Sequence, residues 1–337
     1  MKRIVTLMCA LALVFSCAVS ASAVEYKAMT IRAATANPDG SQHVVAIDKF
    51  KEIIEKESGG KIKVQKFIGG SMGDEQANVK QLRTAEIHMA VLACGNLTPF
   101  APAAGVFYLP YGFTSLDKNT KVFTNDAFMK KMNELIAKQS GTRPLGWLRA
   151  GYRHITNSKH PITKMSDLKG LKMRLGGGLF GEAMAKLGVV SQNMPAGDVY
   201  QALEKGTLDA TEFVGPHDDQ KLGFNKVAPY YYYPGWWEGG AELGFFVNAK
   251  AYNALPAEYK EMVDVATRIA ARDMTAKYDA FNPVAIKKLV ADITGCQAEN
   301  AIGYLCDLLQ RILPLRPLRD CGFTEADFKS FPLSVEA

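Results

Sequence analysis

The sequence has 337 residues, with 40 Lys and Arg against 34 Asp and Glu and a formal net charge of +6. This mild basic excess, without a stripe of Lys and Arg interleaved with aromatics, argues against a nucleic-acid-binding surface. The chain is long enough to bury a large core without disulfides, and its six cysteines show no CxxC or Cys/His spacing typical of a metal site.

The first residues are typical of a secretory signal peptide. A basic start, Met1-Lys2-Arg3, is followed by an apolar run over residues 4–18 and by Ala21-Ser22-Ala23. The apolar run is too short for a good membrane span. We therefore predict a signal peptide over residues 1–23, cleavage after Ala23 and a location in the periplasm.

The next part of the chain alternates between strand and helix patterns. Apolar alternation predicts strands at 26–34 and 61–67 and a buried strand at 87–92, while helical spacing predicts helices at 41–57 and 74–84. This order is the start of an open α/β sheet. A further helix to about residue 139 and a strand at 144–149 lead towards a second lobe.

The second lobe is predicted to repeat this pattern. Strands are predicted at 154–157, 170–175, 189–191 and 210–214, and helices at 180–187 and 197–205. Strands at 230–237 and 243–248 would return to the first lobe. A long helix would begin near residue 256, pass residue 278 and extend towards residue 291.

These elements predict an α/β protein with two lobes and a ligand cleft between them. The predicted first lobe is 24–150 with 239–278, and the second is 151–238 with 279–291. Residues 292–337, rich in Cys, Leu, Pro and Arg, form an atypical C-terminal tail. A divergent or frame-disrupted end is our hypothesis for this tail.

Arg174 is the first candidate ligand residue. It ends a predicted strand, and glycines at 176–178 leave its planar donor fork unshielded for a carboxylate. A surface salt bridge is the alternative. Arg153, on what we expect to be a neighbouring strand, would complete a carboxylate clamp.

The glycines at 176–181 also match the spacing G-x-G-x-x-G of dinucleotide-binding turns. This unit lies deep in the chain, however, and an exported protein meets little nicotinamide cofactor. We interpret it instead as a helix N-terminus open to an anion.

Two carboxylates stand among apolar residues. Glu212 lies in a predicted strand, and Glu238 follows Trp237. They would either hold a hard cation through oxygen ligands or pair with Arg153 or Arg174. No nucleophile constellation is present, so no enzymatic activity is predicted.

Several ordered segments resemble the extracytoplasmic solute receptors of TRAP transporters. They are GSMGDE at 70–75, LPYGF at 109–113, GYR at 151–153, DLKGLKMR at 167–174 and GTLDA at 206–210. The resemblance covers roughly residues 1–291. It implies a two-lobed periplasmic binding protein-like fold with a long helix spanning both lobes, which closes around an organic acid and delivers it to integral-membrane permease subunits. It also implies that Arg174 is the main carboxylate ligand and Arg153 a second one.

Within the family, residues 212–216 and 230–238 are similar to the branch that binds 2-oxo acids and lactate. This similarity implies a metal ion, Ca²⁺ or Na⁺, bridging substrate to Glu212, the backbone of Phe213 and Glu238, and a homodimer. Two departures leave the metal open: Phe213 stands where that branch usually has Trp, and Arg153 where it has a metal-binding Gln. The Arg153 guanidinium could replace the ion.

The predicted ligand-binding residues are thus Arg174, Arg153, Glu212, Phe213, Trp237 and Glu238, for a small monocarboxylate such as a 2-oxo or 2-hydroxy acid. An ABC-type substrate-binding protein shares the two-lobe plan and is the alternative class. A secreted enzyme is a more distant one.

Overall fold

The computed structural model describes residues 24–109, 121–149, 153–176, 178–232, 235, 242–301 and 303–304. The predicted signal peptide and residues 305–337 of the predicted tail lie outside the described residues. In chain order the helices and strands are β1 (Met29–Ala34), α1 (Gln42–Glu57), β2 (Ile62–Phe67), α2 (Glu75–Thr84), β3 (Met89–Ala93), α3 (Asp126–Ser140), β4 (Thr142–Arg149), β5 (His154–Asn157), β6 (Lys172–Arg174), α4 (Leu179–Lys186), β7 (Val190–Gln192), α5 (Ala196–Glu204), β8 (Ala210–Phe213), α6 (Pro216–Lys221), α7 (Phe224–Val227), β9 (Tyr230–Tyr232), β10 (Glu242–Asn248), α8 (Ala249–Asn253) and α9 (Ala257–Thr294).

The first lobe is built on a sheet with the strand order β2-β1-β3-β10-β4. Strand β1 is parallel to β2 and β3, whereas β10 is antiparallel to β3 and β4. Parallel neighbours need crossover connections, and α1 and α2 supply them. Both helices start where the sequence predicts, because the Ser41 and Asp74 side chains accept hydrogen bonds from the first-turn N–H groups of Val44 and Ala77.

The second lobe is built on a sheet with the order β7-β6-β8-β5-β9. Residues 230–232 pair antiparallel with β5, with Tyr232 opposite Ile155. The prediction that this segment returns to the first lobe is therefore wrong. It is the edge strand of the second sheet, and β10 makes the return.

The sheet order also corrects the expectation about the two arginines. Arg153 directly precedes β5 and Arg174 ends β6, but these strands are not neighbours. Strand β8 lies between them and carries Glu212. The carboxylate therefore stands between the two guanidinium groups in the sheet.

Helix α9 packs against α1 and β4 of the first lobe and against α6 of the second. It continues three residues past the predicted limit of 291, to Thr294, and contains Pro283. It ends at Gly295, whose φ of 73° favours glycine. Among the described residues, no helix has the length and apolar character needed to cross a bilayer.

The lobes touch in this structure. Lys221 Nζ of α6 donates to the Gly40 carbonyl of the first lobe at 3.2 Å, and Asn193 Nδ2 donates to Asp74 Oδ2 at 3.3 Å. The Tyr278 hydroxyl of α9 donates to Asp218 Oδ1 on α6 at 2.8 Å. These contacts narrow the space between the two sheets.

Candidate functional site

A cavity of about 20 Å³ remains between the lobes. Its wall consists of residues that follow the carboxyl ends of β1, β3, β6 and β7 and of residues at the start of α2 and α5: Ala36, Asn37, Asp74, Glu75, Asn96, Arg174, Gly176, Asn193, Met194, Pro195 and Ala196. The crevice outside the carboxyl ends of strands is the usual ligand position in open α/β folds.

Arg174 brings a positive charge to this cavity. The pleat of β6 buries Leu171, Met173 and Leu175, leaves Lys172 exposed and half-buries Arg174, as the alternation predicts. Its Nε donates to the Met194 carbonyl at 3.3 Å.

The other contacts of Arg174 come from β8. Its Nη1 donates to the Glu212 carbonyl at 3.4 Å, and its Cζ lies 5.3 Å from the centre of the Phe213 ring. Burial lowers the pKa of Arg174, whereas the Glu212 and Glu75 carboxylates act in the opposite direction. No described carboxylate comes within 4.0 Å of its guanidinium nitrogens, so the donor fork retains capacity for an anion.

Arg153 has a different surrounding. Its Nε donates to Glu212 Oε2, and its Nη2 donates to Oε1 at 2.6 Å. Arg153 is 3% exposed and Glu212 is 0% exposed, so the pair forms a buried bidentate bridge. The Gly176 N–H also donates to Glu212 Oε1. A Cβ on Gly176 would lie 3.1 Å from both Arg153 Nη2 and Glu212 Oε1, which indicates why glycine stands there.

Glu75 faces the cavity from the first lobe and was missed as a candidate by sequence reasoning. Its Oε1 accepts from Asn37 Nδ2 at 2.9 Å, and its Oε2 accepts from the Ala93 N–H at 2.8 Å and Asn96 Nδ2 at 2.7 Å. Burial raises the pKa of Glu75, while these hydrogen bonds and the Arg174 charge oppose the increase. The sequence signal that could have indicated Glu75 is an asparagine three residues after the end of each of two strands, β1 and β3, together with an acidic residue at the start of α2.

His43, in the first turn of α1, lies close to the Glu75 carboxylate. The His43 Nε2 is 3.7 Å from Glu75 Oε1, and neither ring nitrogen has a hydrogen-bond partner among the described residues. Burial, together with Arg153 and Arg174, lowers the pKa of His43 to about 3, so its imidazole is neutral. Both side-chain amide atoms of Gln42 are also buried without a partner in the described part of the chain.

Helix α6 carries two buried acids, each of which accepts a hydrogen bond from a tyrosine. Asp218 Oδ1 accepts a hydrogen bond from the Tyr278 hydroxyl at 2.8 Å, and Asp219 Oδ2 accepts one from the Tyr231 hydroxyl at 2.7 Å. Burial raises the pKa of Asp218 to about 7 and the pKa of Asp219 well above its usual range. Sequence reasoning predicted neither α6 nor these acids.

The structure thus brings together four of the predicted ligand residues, Arg174, Arg153, Glu212 and Phe213. Trp237 and Glu238 lie outside the described residues. In the part of the chain that is described, His, Cys, Asp and Glu form no group of three that could hold a metal ion.

The family model described as bacterial extracellular solute-binding protein, family 7, matches residues 33–300. The chain belongs to this family. The predicted resemblance and the two-lobed fold with a long helix are confirmed. Proteins of this family are described as bacterial extracellular solute-binding proteins.

Among its relatives, this family 7 chain is 52% identical over 133 residues to a monocarboxylate 2-oxoacid-binding periplasmic protein of Nostoc sp. (strain PCC 7120), covering 40% of this chain and 36% of the relative. It is 27% identical over 256 residues to a solute-binding protein of Verminephrobacter eiseniae, covering 74% and 73%. The chain thus spans about a third of the first relative and about half of several others.

A solved structure resembles the chain over most of its length. It is a TRAP transporter solute-binding protein from Bordetella bronchiseptica RB50, with a TM-score of 0.72, 31% identity and coverage of 86% of this chain and 88% of that one. That structure is a mixed-occupancy dimer in which one active site holds copurified calcium and picolinate and the other is apo.

Proposed function

We propose that this family 7 protein is the periplasmic receptor of a TRAP-type transporter, which binds a small organic acid and delivers it to the integral-membrane permease subunits. The observation that best supports the proposal is that the two arginines differ in their hydrogen-bond partners. Arg153 is neutralised by Glu212, whereas Arg174 lines the interlobe cavity with donor capacity left for a carboxylate. The receptor performs no chemistry on the acid.

A monocarboxylate, such as a 2-oxo or 2-hydroxy acid, fits this charge distribution best. Arg174 supplies one positive charge, and the Glu75 carboxylate lies on the opposite wall of the same cavity. A second carboxylate on the ligand would face Glu75 and be repelled. The names of the relatives support this class, since the Nostoc protein is named for 2-oxoacids and the Bordetella protein holds picolinate.

Ligand entry requires the lobes to separate, because a cavity of about 20 Å³ has room for little more than a water molecule. The contacts of Lys221 with Gly40 and of Asn193 with Asp74 would break on opening. We propose that Trp237 and Glu238 contribute to the same pocket and that the receptor pairs as a homodimer, as the Bordetella structure does.

A thermal-shift screen of 2-oxo, 2-hydroxy and dicarboxylic acids tests the proposal, because a ligand that binds the folded state raises the melting temperature. Isothermal titration of Arg174→Gln then tests the anchor. Losing one partner of a buried charge pair weakens binding by about 2–5 kcal/mol, or roughly 30-fold to several-thousand-fold.

Lys172→Gln is the matched control, since Lys172 is exposed on the same strand. Undiminished affinity in Arg174→Gln would refute the anchor, and a screen without any binding acid would refute the receptor function. An ABC-type receptor is disfavoured by the match to family 7 and by α9. Turnover of any acid in the screen would favour the enzyme alternative.

A further inference from the structure

We propose that this receptor binds its acid without a bridging metal ion, because the Arg153 guanidinium supplies the positive charge beside Glu212. This inference rests on the proposed function and specifies its site. It also sets the chain apart from the Bordetella structure, whose occupied active site contains calcium with picolinate.

The Glu212 carboxylate is already occupied by hydrogen-bond donors. Both of its oxygens accept hydrogen bonds from Arg153, and Oε1 also accepts from the Gly176 N–H. A cation needs oxygen lone pairs directed at it, and three N–H donors already use most of the capacity of this carboxylate. An ion ligated by Glu212 would have to displace the guanidinium or lie against it.

Displacing Arg153 from Glu212 would be energetically costly. The pair is almost fully buried, and the absence of a Cβ at Gly176 leaves room for it. If Arg153 moved away, Glu212 would lose its partner in a site where an uncompensated charge is strongly unfavourable. Charge repulsion between the guanidinium and a metal ion acts in the same direction.

A bridging ion would also need further oxygen ligands. Calcium binds roughly six to eight oxygen ligands, and several of them usually come from carboxylates. Among the described residues no second His, Cys, Asp or Glu combines with Glu212 into a group of three suited to a metal. Within the described residues, which do not include Glu238, the N–H donors around Glu212 thus do not suit the bridging ion implied by the resemblance.

The decisive experiment compares binding with and without cations. The probe is the tightest-binding acid from a panel of pyruvate, 2-oxobutyrate and lactate, titrated after dialysis against EDTA, with added CaCl₂, and with NaCl exchanged for choline chloride. We expect the dissociation constant of the parent protein to agree within about twofold under all of these conditions. Dependence on calcium or sodium by about tenfold or more would overturn the inference.

Arg153→Gln removes the guanidinium and keeps a polar side chain of related shape. In EDTA we expect this variant to bind the probe at least about tenfold more weakly, with calcium restoring part of the affinity. Arg268→Gln is the matched control, since Arg268 is exposed on α9. Equal affinities of Arg153→Gln and the parent in EDTA would also overturn the inference.

A second measurement does not depend on the ligand or on the variant. Elemental analysis of the parent protein purified without chelator should find substoichiometric calcium, and added calcium should leave its melting temperature unchanged. One tightly held equivalent of calcium would contradict the inference even if the variant failed to fold. If no acid on the panel bound, the proposed function would fail, while this measurement would still decide the metal question.

Discussion

Asp218→Asn should stabilise the protein progressively as the pH rises from 5 to 8. Asp218 is buried where α6 meets Gln42 of the first lobe and Tyr278 of α9, and burial raises the pKa of its carboxyl from the usual 3.8 to about 7. The other charged groups near it are Lys221 and Asp219. Asparagine keeps the side-chain shape and is neutral at every pH.

The sign follows from proton binding. Because the pKa is higher in the folded state, the folded protein holds a proton that the unfolded chain releases above pH 3.8. The stabilisation from protonated Asp218 is therefore complete below the unfolded pKa and is lost as the pH rises through about 7. With about 1.4 kcal/mol per pKa unit, roughly 2.5 kcal/mol of this loss falls between pH 5 and pH 8.

His43 gives the opposite trend, which is why the parent protein alone cannot test this reasoning. Burial lowers the pKa of His43 from 6.5 to about 3. As the pH falls below 6.5, His43 is therefore protonated in the unfolded state but not in the folded state, and the folded state loses stability. Subtracting the parent from Asp218→Asn cancels this contribution, because His43 is present in both proteins.

The assay is urea unfolding of the parent and of Asp218→Asn at several pH values. The slope m of the unfolding free energy against urea concentration should be the same for both proteins, which checks two-state behaviour. The difference in unfolding free energy should grow by about 2.5 kcal/mol in favour of asparagine from pH 5 to pH 8. Asp198→Asn, at an exposed site on α5, is the control and should show little change. A difference independent of pH would refute the reasoning.

Three further substitutions test the packing that positions the site. Glu212→Gln removes the carboxylate charge from a buried bidentate pair with Arg153 and should cost about 3–5 kcal/mol in urea unfolding. A loss below about 1 kcal/mol would show that the pair is not buried as described. Gly146→Ala places a Cβ 2.5 Å from the Thr267 carbonyl of α9, so it should lower stability by about 1–3 kcal/mol and the melting temperature measured by calorimetry should fall. Phe245→Ala empties a fully buried position of the first-lobe core and should cost about 3–5 kcal/mol in the same urea assay, unless the core collapses to fill the space.

The helices and strands of each lobe were largely predictable, because the spacing of their apolar residues matches the side chains that are buried against the sheet of that lobe. Strand β6 illustrates this, since the buried Leu171 and Met173 flank the exposed Lys172. The spacing of apolar residues does not show which strands pair with each other. Residues 230–232 had a strand pattern, but their pairing with β5 depends on where the chain turns, which the alternation does not contain.

The residues buried between the lobes were not predictable for a different reason. Helix α6 has six residues, and its Asp218 and Asp219 suggest a solvated surface. Asp218 is buried where α6 meets the start of α1 and Tyr278 of α9, and Asp219 is buried beside Tyr231 of β9. Such contacts leave no apolar repeat in the sequence of α6. The burial of His43 and Gln42 was missed for the same reason. These two polar residues stand at the start of α1, a helix that was otherwise predicted well.

The roles of the two arginines could be separated only by the order of the strands. From the sequence, Arg174 is the main candidate and Arg153 the second member of the same carboxylate clamp, on what were expected to be neighbouring strands of one lobe. In the sheet, β8 lies between them, and its Glu212 directs its carboxylate towards Arg153 and its carbonyl towards Arg174. A carboxylate cancels a positive charge, whereas a neutral carbonyl only orients it. Glu212 thus occupies the donor groups of Arg153 and leaves the donor fork of Arg174 with capacity for an anion, which is why we propose Arg174 as the carboxylate anchor.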